Sequence, residues 1–74
     1  MALTKKEARM IVAMAQCDMT VYAAADKVYY HKNTLLYHFE KIRKKTGLNP
    51  RNFFDLIELY SMAREILGDD HELL

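Results

Sequence analysis

The chain has few of the residues that cross-link, break or anchor a protein. Its 74 residues include one cysteine, two glycines, one proline and no tryptophan. The single cysteine, Cys17, cannot form an internal disulfide and fits a reducing compartment. Apolar runs are only a few residues long, far short of the roughly 20 residues of a membrane span. Charged residues occupy the start of the chain, where a signal peptide would have its apolar segment, so we expect a cytoplasmic protein.

Patterns typical of catalysis and metal binding are also missing. His31, His38, His71 and Cys17 do not form the paired spacing of a zinc site. No base is evident that would activate Cys17 as a nucleophile. The sequence has no glycine-rich phosphate loop and no convergent acid–base pair. We therefore expect no enzymatic activity, no metal, no cofactor and no site for a small-molecule effector.

What the chain does have is a globular composition with an uneven distribution of charge. It is 51% apolar and 28% charged, and its length suits one domain, residues 1–74, with a small core. Residues 27–51 carry seven lysines and arginines against one glutamate, a net charge of seven minus one, or +6. Residues 52–74 carry one arginine against six acidic residues, or −5. A local excess of positive charge hints at a polyanionic partner, although charged runs are often only solvated helix faces.

Helical spacing dominates the sequence, with no strand pattern and no repeat. Thr4 and Glu7 have the spacing of a capping box at the start of a first helix. One face of that helix collects the apolar residues Ala8, Ile11, Val12 and Ala15. Gly47 is suited to the left-handed end of a third helix, and Asn49 with Pro50 to the start of a fourth. The prediction is an all-α domain with four helices, at about 5–16, 21–28, 32–46 and 50–67.

The second and third predicted helices have the layout of a helix-turn-helix motif, at about residues 20–46. A short alanine-containing helix is followed by a turn of about three residues and a longer helix with a polar start. In that third helix, Leu35, Phe39 and Ile42 share one narrow apolar sector. The other side carries amide, phenol, hydroxyl and cationic groups, which can contact base edges and phosphates in a major groove. The predicted DNA contacts are Lys32, Asn33, Thr34, Leu36, Tyr37, Lys41, Arg43 and Lys44.

The segment AAADKVYYHKNTLLYHFEKIRKKTGLN, residues 23–49, resembles a known family. It looks like the C-terminal DNA-binding domain of PucR-type regulators of purine catabolism and sugar-diacid use, and the resemblance covers roughly residues 19–67. That family's pattern has His-Arg/Lys-Asn-Thr-Leu after a turn and Thr-Gly-Leu at the helix end. The segment is also similar to the helix-turn-helix of the factor for inversion stimulation, a dimeric DNA-bending protein. The resemblance implies a transcriptional regulator or nucleoid-type factor that binds double-stranded DNA in the major groove.

The segment departs from the family pattern at three positions. Leu36 and His38 stand where the family often has arginine, so two cations that bear on affinity and sequence preference are missing. Tyr29 stands where glycine is frequent, and a left-handed backbone there would cost a tyrosine on the order of 1 kcal/mol. The larger regulatory region that such regulators carry upstream is not in this chain. We therefore expect a stand-alone module.

The fourth predicted helix has more apolar residues than one helix face can hold. Its first stripe contains Phe53, Leu56, Ile57, Tyr60, Ala63 and Leu67, and its second contains Phe54, Leu59, Met62 and Ile66. Because so small a monomer cannot bury both stripes, we predict a homodimer with the second stripe at its interface, aided by Met10 and Met14 of the first helix. Its two-fold symmetry would suit DNA half-sites about 34 Å apart, or a multiple of that distance. The alternative is an interaction module that uses Leu36, Tyr37 and the extra stripe to bind a protein partner.

Overall fold

The computed structural model describes residues 3–68, which form four α-helices and no strand. The helices are α1 (Lys5–Gln16), α2 (Val21–Lys27), α3 (Lys32–Thr46) and α4 (Phe53–Leu67). The all-α prediction is confirmed, and the bounds of α1 and α3 are as predicted. Helix α2 ends one residue early, because Val28 is its C-cap. None of the helices in the described range is long and apolar enough to cross a membrane.

Helix α1 lies at the centre of the packing. It contacts each of the other three helices, and α2 and α3 also contact each other, whereas no backbone contact joins α4 to α2 or α3 in the described range. Five consecutive residues, 10–14, are completely buried. Five residues cover more than one full turn of an α-helix, so this part of α1 is surrounded by protein rather than packed on one face. Neighbours on different sides of α1 therefore cover it: α4, and the pair formed by α2 and α3.

Local hydrogen bonds fix where the helices begin and end. The capping box is confirmed: the Thr4 hydroxyl accepts a hydrogen bond from the Glu7 backbone N–H at 3.1 Å, and the Thr4 N–H donates to the Glu7 carboxylate at 2.9 Å. Gly47 ends α3 in the left-handed conformation, with φ of 78°. Thr20 is the N-cap of α2, but its side chain makes no capping hydrogen bond.

Helix α4 begins at Phe53, so the prediction that it starts near Pro50 is wrong. Asn52 is the N-cap, and its side chain accepts a hydrogen bond from the Asp55 N–H at 3.0 Å. The side chain of Asn49 closes a separate turn before the helix. Pro50 is buried in that turn. Two asparagines three residues apart can each bond to nearby backbone, and only the second is followed by helical residues.

The predicted interface stripe of α4 lies only partly at the surface. Leu59 is completely buried in the core of the chain itself, as are Met10 and Met14 of α1, so the prediction that these residues contact a second copy is wrong. The residues of α4 that are buried are Leu56, Leu59, Ala63 and Leu67, which mix members of both predicted stripes. Met62 and Ile66 are half-buried and pack against the same core. Phe54 is 76% exposed.

Tyr29 has a left-handed backbone in the turn between α2 and α3, with φ of 65°. Its side chain is 94% exposed, so packing does not offset the steric cost of this conformation. Asp18 and Met19, in the turn between α1 and α2, also have positive φ. The α1–α2 turn and the α2–α3 turn contain no glycine. Each therefore includes non-glycine residues in the unfavourable left-handed conformation.

Glu7 is the one buried acidic residue in the described range, with 5% of its surface exposed. Its carboxylate lies 2.7 Å from the Lys45 ammonium, which joins the start of α1 to the end of α3. Burial raises the pKa of the Glu7 carboxyl, but the Lys45 ammonium and the hydrogen bonds with Thr4 outweigh that effect and lower it. Glu7 is therefore held as a carboxylate at neutral pH.

We predict that Tyr29→Gly raises the free energy of unfolding by up to about 1 kcal/mol, because glycine adopts a left-handed backbone without strain. This corresponds to a rise of about 4–8 °C in melting temperature for a domain of this size, measurable by circular dichroism. Tyr29→Ala removes the same ring but keeps the strain, and it serves as the control. Equal stability of the glycine and alanine variants would contradict the prediction.

We predict that Glu7→Gln lowers the free energy of unfolding by about 1 kcal/mol at pH 7, because it keeps the capping box and removes the ion pair. A lowered pKa stabilises the fold fully above the unfolded value of about 4.3, and this stabilisation is lost as pH falls through the folded value. The difference between wild type and Glu7→Gln in urea unfolding should therefore disappear in acid. Glu58→Gln, on the exposed side of α4, should show no comparable difference at pH 7.

Candidate nucleic-acid interface

Helix α3 is attached to the protein along one side only. Leu35, Phe39 and Ile42 are its buried residues, which confirms the predicted apolar sector. They are spaced by four and three residues, so they lie on one face of the helix. The opposite face is presented to solvent along the length of the helix. The core thus fixes the orientation of the outward side chains.

The first turn of α3 is capped by a histidine. His31 is the N-cap, and its ring Nδ1 accepts a hydrogen bond from the Asn33 N–H at 3.1 Å. The next two side chains, Lys32 and Asn33, are exposed. The Lys32 ammonium lies 5.7 Å from the centre of the Tyr22 ring, within range of a cation–π interaction. In a helix-turn-helix, this end of the second helix enters the major groove.

The eight predicted DNA contacts differ in exposure. Thr34 and Leu36 are half-buried, and Leu36 packs against the core. The exposed residues of the set are Lys32, Asn33, Tyr37, Lys41, Arg43 and Lys44. The structure thus brings six of the predicted side chains to one solvent-facing surface and places two at its edges.

The cations of α3 differ in how far nearby carboxylates compensate their charge. Arg43 forms an exposed ion pair with Glu40, and its hydrogen bond to that carboxylate lowers the pKa of Glu40. Lys45 is paired with Glu7. Within residues 3–68, Lys32, Lys41 and Lys44 form no ion pair with a carboxylate. These three lysines therefore supply most of the uncompensated positive charge.

A row of three aromatic rings runs along one edge of α3. His38 lies between Tyr30 and Tyr37, with ring centres 6.2 Å and 5.5 Å away. The Lys6 ammonium is 5.4 Å from the Tyr30 ring centre, and the Lys41 ammonium is 5.6 Å from that of Tyr37. Burial, followed by the positive charges of Lys6 and Lys41, lowers the pKa of His38. His38 is therefore mostly neutral at pH 7.

Sequence reasoning missed three of the residues around this surface. Lys6 and Tyr30 belong to the aromatic row, and Tyr22 lies beside Lys32. No local pattern connects Lys6 with α3, because the two meet only when α1 packs beside it. The pairing of Tyr22 with Lys32 likewise depends on the turn that brings α2 against α3.

The chemical groups on this surface are suited to binding a polyanion. Its groups are ammonium ions, an amide, phenols and a neutral imidazole on a rigid helix. Within residues 3–68, no cluster of three histidine, cysteine, aspartate or glutamate side chains could hold a metal ion. Hydrogen-bond donors combined with positive charge match the phosphates and base edges of a nucleic acid.

Comparison with known proteins identifies a family. A family model described as the PucR C-terminal helix-turn-helix domain matches residues 8–70. A search of curated proteins and a search of solved structures each found no significant match. The matched range contains α2, α3, α4 and most of α1. The family resemblance inferred from residues 23–49 is confirmed.

Proposed function

The chain belongs to the PucR C-terminal helix-turn-helix domain family, and from this we propose that it is a DNA-binding regulator whose α3 enters the major groove. The observation that carries the proposal is the outward face of α3. Lys32 and Asn33 lie exposed in its first turn, and Tyr37 follows one turn later. The cytoplasmic location expected from the sequence is part of the same proposal.

The exposed amide and cationic side chains of α3 have chemically defined roles in this proposal. The Asn33 amide can form two hydrogen bonds to the edge of adenine, which is a sequence-specific contact. Lys32, Lys41 and Lys44 can bind backbone phosphates, which gives affinity and register but no sequence information. Arg43 is less available, because it is already paired with Glu40.

The alternative of a protein-binding module on the same fold has less support. It requires Leu36 to present an apolar surface to a partner, but Leu36 is half-buried against the chain's own core. The rest of the outward face is polar and positively charged. An apolar protein partner would leave these charges desolvated and unpaired.

We also propose that the chain forms a homodimer through the start of α4, with a revised set of residues. The exposed apolar side chains there are Phe53, Phe54 and Ile57, with 57%, 76% and 54% of their surfaces exposed. Beside them is an apolar groove of about 380 Å³, lined by Ala15, Asp18, Met19, Phe53, Leu56, Ile57 and Tyr60. Met62 and Ile66 are half-buried against the chain's own core and are not part of the revised set.

A second copy of the chain suits this surface for two reasons. An interface with two-fold symmetry uses the same patch on both partners, so a protruding side chain must lie near a groove that can receive it. Phe54 and the groove meet this condition. In addition, α4 packs on α1 and not on α3, so pairing through α4 leaves both α3 helices free for DNA.

The DNA-binding proposal predicts that the double variant Lys32→Glu/Lys44→Glu loses most of its affinity for duplex DNA. The measurement is fluorescence anisotropy of a labelled generic duplex at two salt concentrations. Wild type should bind in the micromolar range and weaken steeply with salt. The double variant should bind at least about tenfold more weakly, because each lost phosphate contact reduces the log–log salt slope by about 0.9.

The matched control for that experiment is Lys5→Glu/Arg51→Glu. It changes the net charge by the same amount at exposed positions outside α3. An equal loss of affinity in both double variants would show a response to net charge alone. The proposal would then be wrong in its assignment of α3, and absence of wild-type binding at low salt would refute DNA binding itself.

The dimer proposal predicts that Phe54→Glu converts the chain into a monomer, because a carboxylate would be buried without a partner at the interface. Sedimentation equilibrium at micromolar concentrations measures the mass of each species. Tyr22→Glu, a matched change of a 73% exposed aromatic residue on α2, should leave the dimer intact. A monomeric wild type at these concentrations would contradict the prediction.

A further inference from the structure

We propose that the side of the domain next to α3 holds a second DNA-binding surface, the flanking cleft, which binds the sugar–phosphate backbone of the same duplex. The inference rests on the proposed function, since it adds contacts to a complex in which α3 occupies the groove. The residues that line the flanking cleft are Lys6, Arg9, Met10, Lys27, Val28, Tyr29 and Tyr30. They come from α1, from the end of α2 and from the turn that precedes α3.

Within residues 3–68, the charged side chains that line the flanking cleft are all cations. Lys6, Arg9 and Lys27 line a space of about 230 Å³, and no carboxylate of the described residues is among the lining residues. Lys6 and Lys27 form no ion pair within residues 3–68. The two tyrosines add phenol hydroxyls, which can donate hydrogen bonds. Cations and hydroxyl donors around an open cleft suit the oxygens of a phosphodiester chain.

The flanking cleft is continuous with the outward face of α3. Lys6 and Tyr30 line the cleft and also form one end of the aromatic row. The row passes through His38 to Tyr37 and Lys41, which belong to the face proposed to meet the groove. A backbone strand that leaves the groove along this edge would pass from Lys41 to Lys6 and then over the cleft. One duplex can therefore contact both surfaces.

Tyr29 provides a second and independent observation. Its backbone is left-handed, a conformation that glycine adopts at lower cost, and its side chain makes almost no contact within the protein. Packing of the Tyr29 side chain therefore does not offset the strain of its backbone. Residues with a strained backbone are concentrated at functional sites. A tyrosine at the rim of a cationic cleft is placed to donate a hydrogen bond to a phosphate oxygen.

The first test compares two double variants with wild type in the anisotropy assay. Lys6→Gln/Lys27→Gln removes two cations of the flanking cleft, and Lys5→Gln/Arg51→Gln removes two exposed cations elsewhere. The cleft variant should bind about tenfold or more weakly at about 0.1 M salt, and its log–log salt slope should be smaller by about 1.8, or 0.9 for each contact. The control variant should keep a slope close to that of wild type.

The second test uses Tyr29 and has a readout that a purely structural role would not produce. Tyr29→Gly should bind DNA about threefold or more weakly, as expected for the loss of one hydrogen bond, although the glycine relieves backbone strain. Tyr29→Phe, which loses only the hydroxyl, should weaken binding to a similar extent. Wild-type affinity in both variants would show that Tyr29 makes no contact with DNA.

The outcomes separate the inference from the function on which it rests. If the cleft variant matches its control while Lys32→Glu/Lys44→Glu still loses affinity, the flanking cleft is not a DNA-binding surface and the proposed function stands. If wild type does not bind duplex DNA at low salt, both are wrong. If the cleft variant alone has the smaller salt slope, the second surface is established.

Discussion

The burial of α1 is the constraint on which the rest of the structure depends. Residues 10–14 have no exposed surface, so a single neighbouring helix could not shield them from solvent. Helix α4 covers part of α1, and the pair α2 and α3 covers another part. This arrangement separates the helix proposed to pair two copies from the helix proposed to meet DNA. The central position of α1 thus keeps the two proposed binding surfaces apart in a domain with a small core.

The orientation of α3 depends on a few contacts at its inner side. Leu35, Phe39 and Ile42 anchor it in the core, and the ion pair of Lys45 with Glu7 joins its last turn to the start of α1. A binding surface needs side chains on a rigid support, because the conformational entropy lost when mobile groups become ordered on binding lowers the affinity. Here most of the outward face is left out of the packing, so its residues can vary without loss of the fold.

The structure retains features that do not favour the stability of an isolated protomer. Phe53, Phe54 and Ile57 expose apolar surface, and Tyr29 holds a strained backbone without packing in return. The proposed binding surfaces explain both features. The exposed apolar residues of α4 belong to the proposed interface with a second copy, and Tyr29 is proposed to contact a phosphate. Residues that lower the stability of the folded chain are expected at functional sites.

The sequence by itself determined the features that depend on residues one or two turns apart: the capping box of Thr4 and Glu7, the end of α3 at Gly47, and the apolar sector of α3. Hydrogen bonds and helical periodicity act over that range, so spacing was sufficient. The start of α4 was missed because two asparagines offered competing caps. Only the tertiary structure decided that Leu59 is buried in the protomer and that Lys6 lies beside α3. Both depend on which helices pack around α1, and that choice is set by contacts between residues far apart in the chain.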